Sequence, residues 1–145
     1  MRILLDASVV VSLLVERGSV LLDELRSVRA IITDLCVYEV NNALWKLSAL
    51  RGIMTLEDAL KASRVLRMLV SSRLLEIARF GDIDLDMAMR LAHDERITFY
   101  DASYIAAALA LEATLSSADE KLIGVAKRYV PAITYDELIS VLEGR

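Results

Sequence analysis

Short apolar runs alternate with longer helical segments through most of this chain, and this alternation restricts the fold more than any other feature. The first run, residues 2–5, ends on Asp6 and is followed by an apolar-rich segment with helical periodicity. Strand-like runs recur at residues 30–33, 74–77, 113–117 and 132–134. Strands that alternate with helices form a parallel sheet with helices on its faces. The sequence therefore predicts an α/β fold, a three-layer α/β/α sandwich whose central, mostly parallel sheet has about five strands.

The helices between these strands are indicated by caps, stop signals and apolar stripes. Gly18 ends the first helix, and Ser19 is expected to cap a short second helix. Thr55 and Asp58 stand at the start of a longer one, in the spacing of a capping box. The predicted helices are residues 7–16, 20–28, 35–50, 55–71, 84–94, 102–111, 119–128 and 135–142.

The length of 145 residues predicts a single domain that covers residues 1–145. The apolar share of 56% and the mean hydropathy of +0.46 are high, which indicates strands buried on both faces or a further buried surface such as a dimer interface. No segment without charge approaches the roughly 18 residues that cross a bilayer, and Asp6 interrupts the apolar start that a secretory signal would need. We therefore expect a cytoplasmic protein without a membrane partner.

Four acidic residues stand at junctions between predicted elements, and they are the candidate site. Asp6 and Asp119 follow predicted strands, whereas Glu39 and Asp101 lie near helix N-termini. In an open parallel sheet, the crevice for ligands lies beyond the carboxyl ends of the strands, so all four carboxylates can converge on one edge. Two carboxylates about 4 Å apart repel each other by roughly 4 kcal/mol at an effective dielectric near 20. Such a cluster usually contains a cation.

The chemistry of these side chains indicates which cation. Carboxylate oxygens without histidine or cysteine favour Mg²⁺ or Mn²⁺. Ser8 and Ser117 each lie two residues from one of the acids and can hydrogen-bond it, and Asn42 can do the same for Glu39. The formal charge of −4 would ordinarily disfavour nucleic acid, but bound cations reverse the local field. A metal centre that acts on a phosphodiester is therefore compatible with an acidic chain.

The four stretches that carry these acids resemble the motifs of the PIN-domain nucleases, and specifically of the small VapC-type toxins of toxin–antitoxin pairs. They are LLDASV at residues 4–9, YEVNNAL at 38–44, TFYDASYIAAA at 98–108 and LSSADEKL at 115–122. Each stretch alone is weakly specific, but together they follow the order and the usual spacing of the family over nearly the whole chain. The resemblance implies the PIN-like form of the α/β/α sandwich.

The resemblance also implies a function. Asp6, Glu39, Asp101 and Asp119 would be the catalytic and metal-binding residues of a metal-dependent endoribonuclease, with Asp6 and Asp101 as principal ligands. Water made more acidic by the ion would attack an RNA phosphodiester in line. The family often has threonine where this chain has Ser117, a departure that keeps the hydroxyl. A homodimer is implied as well, with a cognate antitoxin that inserts a segment, often with a basic side chain, into the site.

Other interpretations of the same residues remain. A catalytically silent PIN-like module would only bind RNA or a protein partner, although the full set of acids speaks against it. A phosphotransferase with Asp6 as nucleophile generally has a second aspartate two residues later, where this chain has Ser8. Asp101 or Asp119 alone could cap a helix or complement its dipole, and Glu39 alone could lie on a solvated helix face. Asp6 has no obvious structural use at the end of a buried strand. Trp45 and the tyrosines are expected to pack in the core or in an interface.

The remaining reactive groups have structural interpretations. The only cysteine, Cys36, cannot form an internal disulfide and is expected to be buried. The only histidine, His93, is expected at the surface or its boundary, so no Ser–His–acid or Cys–His arrangement is indicated. The acids at residues 82, 84 and 86 lack the glycine and glutamate of a calcium loop and are expected to cap helices.

Overall fold

Five parallel strands form the central sheet of the computed structural model, which describes residues 1–145. They are β1 (Arg2–Leu5), β2 (Arg29–Thr33), β3 (Leu75–Ala78), β4 (Thr114–Ser117) and β5 (Ala132–Thr134). Their order across the sheet is β3-β2-β1-β4-β5, with β1 at the centre. The chain adds β2 on one side of β1 and later β4 on the other. The strand order therefore reverses between β1 and β4, which is where an open parallel sheet forms its ligand crevice.

Eight α-helices surround the sheet, and most of them begin at a side-chain cap. They are α1 (Ala7–Arg17), α2 (Leu21–Glu24), α3 (Asp34–Trp45), α4 (Leu56–Ser71), α5 (Leu85–Glu95), α6 (Phe99–Leu111), α7 (Glu120–Ala126) and α8 (Tyr135–Leu142). The predicted continuation of α3 to Leu50 is one turn of π-helix, Lys46–Leu50. Asp6 caps α1 and Asp119 caps α7. Asp6 directly follows β1, and Asp119 lies two residues after the end of β4. Both carboxylates therefore lie at the carboxyl ends of neighbouring strands.

The predicted α/β/α architecture is confirmed, but the helix predicted at residues 20–28 is broken. Its regular part is only α2, between two short 3₁₀ turns, and Ser19 makes no cap. The chain turns at Gly18, whose φ is +54°, and enters the first 3₁₀ turn there. Leu21 and Leu25 are buried, so the irregular segment is held by packing against the core. The prediction of a capped, continuous helix was wrong for this reason.

A second boundary also differs from prediction. The sequence predicts a helix from residue 102, but α6 begins at Phe99. The Thr98 hydroxyl accepts a hydrogen bond from the Asp101 amide at 3.1 Å, so Thr98 is the cap. Asp101 therefore lies in the first turn of α6, where the helix dipole favours a negative charge.

The core lies on both faces of the sheet. Residues Ile3, Leu4 and Leu5 of β1 are at most 1% exposed, as expected for a central strand covered on both sides. Every residue of α6 from Ala102 to Ala108 is buried, which explains the absence of charged residues there. Cys36 is buried as predicted, and burial raises the pKa of its thiol to about 12. No helix is both long enough and apolar enough to span a membrane.

Candidate metal centre

Asp6 is the most deeply buried of the four candidate acids, at 5% exposure. Its Oδ1 atom accepts hydrogen bonds from the Val9 amide at 3.0 Å and from the Ser8 hydroxyl at 2.6 Å. Its Oδ2 atom accepts one from the Ser117 hydroxyl. Burial raises the pKa of Asp6, although these three hydrogen bonds oppose that rise. The protein therefore holds a carboxylate in one orientation at a position where its charge is costly.

Two serine hydroxyls connect the ends of β1 and β4. Ser117 donates to Asp6, and its Oγ accepts a hydrogen bond from the Asp119 amide at 2.9 Å. Ser8 also donates to Asp6, and its Oγ accepts a hydrogen bond from the Ala118 amide at 3.0 Å. Both serines thus make the kind of hydrogen bond expected from the sequence, and both make it to Asp6.

Glu39 reaches the site from α3 and is held by a residue that the sequence motifs did not single out. Its Oε1 atom accepts a hydrogen bond from the Tyr104 hydroxyl at 2.7 Å, and no bond joins Glu39 to Asn42, the partner expected from the sequence. Burial raises the pKa of Glu39, the Tyr104 hydroxyl opposes that rise, and the charges of Asp101 and Asp6 add to it. Tyr104 lies three residues after Asp101 on α6, so helical spacing is the signal that could have identified it.

Asp101 enters the site from the first turn of α6. Burial raises its pKa, and the negative charges of Asp119 and Asp6 raise it further. Thr98 and the positive charge of Lys121 lower it. Lys121 therefore lies close enough for its charge to act on Asp101.

The four acids form one electrostatic group. The charge of Asp6 acts on Glu39 and Asp101, and the charge of Asp119 acts on Asp6 and Asp101. No group of three or more His, Cys, Asp or Glu side chains is arranged so that it could hold a metal ion. Hydrogen bonds within the protein occupy oxygens of Asp6, Glu39 and Asp119. Mutual repulsion also keeps the carboxylates apart.

The donor chemistry nevertheless fits a hard divalent cation. All four acids offer carboxylate oxygens, and two serine hydroxyls contact Asp6. Oxygen donors without thiolate or imidazole suit Mg²⁺ or Mn²⁺. A cation would also offset the repulsion that contributes to the raised pKa values of Asp6, Glu39 and Asp101. The convergence of all four acids on one ion stays a prediction.

A groove of about 340 Å³ lies beside the acids, between α1 and α3. It is lined by Ala7, Ser8, Val11, Glu39, Asn42, Ala43 and Lys46. Ser8 and Glu39 belong both to this groove and to the hydrogen-bonded site. A chain molecule that lies in the groove would therefore contact Glu39.

Three aromatic residues near the site are exposed, so they do not pack in the core of this chain, and their packing in an interface stays a prediction. Tyr38 is 77% exposed, Tyr100 59% and Trp45 51%. Tyr38 and Tyr100 directly precede Glu39 and Asp101 in the sequence. Packing in the core of this chain therefore does not account for these rings.

The fold and the candidate residues together define a class of protein: an α/β/α domain with four acidic side chains near the carboxyl edge of a parallel sheet. The family model described as PIN domain matches residues 3–128, and the chain belongs to this family. The resemblance inferred from the four motifs is thereby confirmed.

Individual relatives agree with this membership. Exonuclease VapC9 of Pyrobaculum aerophilum is 37% identical over 97 residues, a match that spans 66% of this chain and 66% of that protein. The crystal structure of PAE2754 from Pyrobaculum aerophilum gives a TM-score of 0.75 at 28% identity, covering 100% of this chain and 91% of that one. The structure of VapBC-1 from nontypeable Haemophilus influenzae gives a TM-score of 0.63 at 14% identity, covering 94% and 99%. This last likeness supports the fold alone.

Replacing Tyr104 by phenylalanine tests whether its hydroxyl orients Glu39. We expect the pKa of Glu39 to rise further, because the hydroxyl lowers it in the intact protein. The unfolding free energy should fall by about 1 kcal/mol. NMR titration and thermal unfolding measure the two effects. Tyr129→Phe is the control, since Tyr129 donates to Glu95 near the amino end of β5; an unchanged Glu39 pKa in Tyr104→Phe would contradict the assignment.

Proposed function

We propose that this protein is a metal-dependent endoribonuclease, the toxin of a toxin–antitoxin pair. The observation that carries the proposal is the buried Asp6, fixed by two serine hydroxyls beside three further acids. No lysine, arginine or histidine forms a salt bridge with Asp6. A buried carboxylate without a cationic partner lowers stability, so a role in function explains its presence better than a role in folding. Membership of the PIN domain family supports the proposal.

Each acid has its own part in the proposed reaction. Asp6 and Asp101 would be the principal ligands of Mg²⁺ or Mn²⁺, and Asp119 would complete the negative pocket. The bound ion supplies Lewis acidity beside the phosphate. Glu39 is half-buried and has a raised pKa, which suits a carboxylate that accepts a proton from the attacking water.

Neighbouring side chains position these groups. Ser8 and Ser117 hold the Asp6 carboxylate in one orientation, and Tyr104 does the same for Glu39. Lys121 places a positive charge close to Asp101, where it would attract a phosphate of the substrate. The site thus combines fixed acids with a cation at its border.

The alternative nucleophiles are poorly placed. The pKa of the buried Cys36 thiol is raised to about 12, so this thiol stays protonated at neutral pH. His93 is exposed and contacts Asp94 at 3.2 Å on the surface. Ser8 stands two residues after Asp6, where a phosphotransferase with an aspartate nucleophile generally has a second aspartate. Hydrolysis by water is therefore favoured over a covalent intermediate.

The test must separate internal cleavage from cleavage at an end, because the relative VapC9 is named an exonuclease. Linear and circular forms of the same RNA are incubated with Mg²⁺, with Mn²⁺ and with EDTA. We expect the circle to be opened with either ion and to remain intact in EDTA. Cleavage of the linear form alone would indicate an exonuclease. Binding of both forms without cleavage would favour the silent PIN-like module.

Exposed apolar surface supports the two protein partners that we propose, a second copy of the chain and an antitoxin. A cavity of about 640 Å³ lies between the end of α1 and the start of α4, with the exposed side chains of Val15 and Ile53 in its wall. Lys61 adds a positive charge to the same wall. On α5, Leu85 and Met89 are also exposed.

Sedimentation velocity measures the oligomeric state of the protein, and a monomer at every concentration would contradict the homodimer.

A further inference from the structure

The outer face of α3 carries two exposed aromatic rings separated by an amide side chain. These residues are Tyr38, Asn42 and Trp45, here called the α3 stripe. Spacings of four and three residues place them on one face of the helix. Tyr38 is 77% exposed and Trp45 is 51% exposed. At 1.5 Å per residue, their Cα atoms are about 10 Å apart along the helix axis.

The polar tips of both rings have no partner within the protein. The hydroxyls of Tyr104, Tyr129 and Tyr135 each donate to a carboxylate. By contrast, neither the Tyr38 hydroxyl nor the Trp45 Nε1–H group makes a hydrogen bond, and both rings face solvent. Tyrosine and tryptophan with an apolar body and a free polar tip are typical of binding surfaces.

The α3 stripe borders the groove between α1 and α3. Asn42 belongs to both, and Glu39 and Lys46 line the groove beside it. Tyr38 directly precedes Glu39 in the sequence, but successive side chains of a helix do not share a face, so Asn42 is the link between the stripe and the groove. Lys46 is exposed and forms no salt bridge. A polyanion in the groove would meet this unpaired cation beside Asn42.

We propose that the α3 stripe is a stacking platform that positions unpaired bases of the RNA substrate next to the acids. The proposal rests on the ribonuclease function proposed above and assigns specificity for single strands to Tyr38 and Trp45. Every base has a π-face, so stacking selects unpaired bases with little regard to sequence. Aromatic rings occur in both kinds of interface, but charge favours RNA over a protein partner, because Lys46 beside the stripe attracts phosphates whereas lysine is depleted from protein interfaces.

Trp45 is the only tryptophan of the chain, so its fluorescence reports on the stripe directly. The Asp101→Asn protein, in which cleavage is expected to be strongly reduced, is titrated in Mg²⁺ with a short oligouridylate. A base that stacks on the indole should quench the emission saturably. An oligomer of the same length without bases carries the same backbone charge and should leave the emission unchanged. A fully paired duplex should also leave it unchanged.

Paired substitutions separate the effect of the aromatic ring on RNA binding from the effect of side-chain volume. Trp45→Phe and Tyr38→Phe keep a ring, whereas Trp45→Leu and Tyr38→Leu remove it. We expect each leucine variant to raise the Kd of labelled oligouridylate, measured by anisotropy, about ten-fold, and each phenylalanine variant to stay within about two-fold. With the catalytic acids intact, the leucine variants should raise KM with little change in kcat. Tyr129→Leu is the control for loss of an exposed aromatic residue elsewhere.

Several outcomes would overturn the stacking platform. They are an absence of quenching, equal quenching by the oligomer without bases, and equal Kd values for the leucine and phenylalanine variants. Trp45 emission that changes with protein concentration in the absence of RNA would also overturn it, because a second copy of the chain would then cover the stripe. A different result is expected if the stacking platform is correct but the protein is not a ribonuclease. Quenching without cleavage by the wild-type protein would support the platform and contradict the nuclease.

Discussion

Cleavage of RNA is expected to fall by about 10²- to 10³-fold when Asp101 is replaced by asparagine. The substitution removes one charge from the group that a divalent cation would bind, and the amide offers a weaker oxygen ligand. Asparagine has nearly the same shape, and Asp101 lies at a half-buried position in the first turn of α6. The unfolding free energy should therefore change by less than about 1 kcal/mol. Measurement of kcat and Tm on one preparation tests both expectations.

Asp86→Asn is the matched control for this experiment. Asp86 stands in the first turn of α5, as Asp101 does in α6. If both acids serve only to complement a helix dipole, both variants should lose a few tenths of a kcal/mol in stability and no activity. If Asp101 acts in catalysis, only its variant should lose activity. Undiminished cleavage by Asp101→Asn would remove Asp101 from the mechanism.

The architecture could be predicted where its signals are local. β1 is an apolar run that ends on Asp6, and α1 starts at that cap, so the strand and the position of the carboxylate follow from adjacent residues. The segment around Ser19 could not be predicted in the same way. Its 3₁₀ turns depend on the positive φ of Gly18 and on the burial of Leu21 and Leu25. Such tertiary effects override local helix propensity.

The candidate site shows the same limit. Asp6 and Asp119 follow neighbouring parallel strands, so their proximity follows from the order of elements. The hydrogen bond from Tyr104 to Glu39 joins residues 65 apart in sequence, on two different helices. The exposure of Trp45 depends on which face of α3 other elements leave uncovered. Contacts between helices and uncovered faces are set by three-dimensional packing, which periodicity alone does not specify.

The metal-free protein is expected to gain stability at neutral pH when Asp6 is replaced by asparagine. Burial raises the pKa of Asp6 in the folded state, so ionisation of this carboxyl costs more in the folded protein than in the unfolded chain. Asparagine is neutral, caps helices as well as aspartate does, and can accept the hydrogen bond from the Val9 amide. We expect a gain of about 1 kcal/mol in unfolding free energy, or about 3 °C in Tm for a chain of this length.

The pH dependence of this gain identifies its cause. Between the ordinary carboxyl pKa near 4 and the raised folded value, the folded wild-type protein binds more protons than the unfolded chain. Its stability relative to Asp6→Asn therefore falls as the pH rises through this window. The gain should be complete above the folded pKa of Asp6, shrink below it, and vanish near pH 4. Thermal unfolding of both proteins in EDTA across this range measures the effect.

Two comparisons separate charge burial from helix capping in this last prediction. Asp84 caps α5 by accepting a hydrogen bond from the Met87 amide at 3.0 Å, as Asp6 caps α1, but Asp84 is exposed. Asp84→Asn should therefore leave the stability nearly unchanged at every pH, because asparagine keeps the helix cap and the substitution removes no buried charge. Saturating Mg²⁺ should reverse the order of wild type and Asp6→Asn, since a ligand stabilises only the protein that binds it. A gain that is independent of pH, or that persists undiminished in Mg²⁺, would contradict a metal-binding role for Asp6.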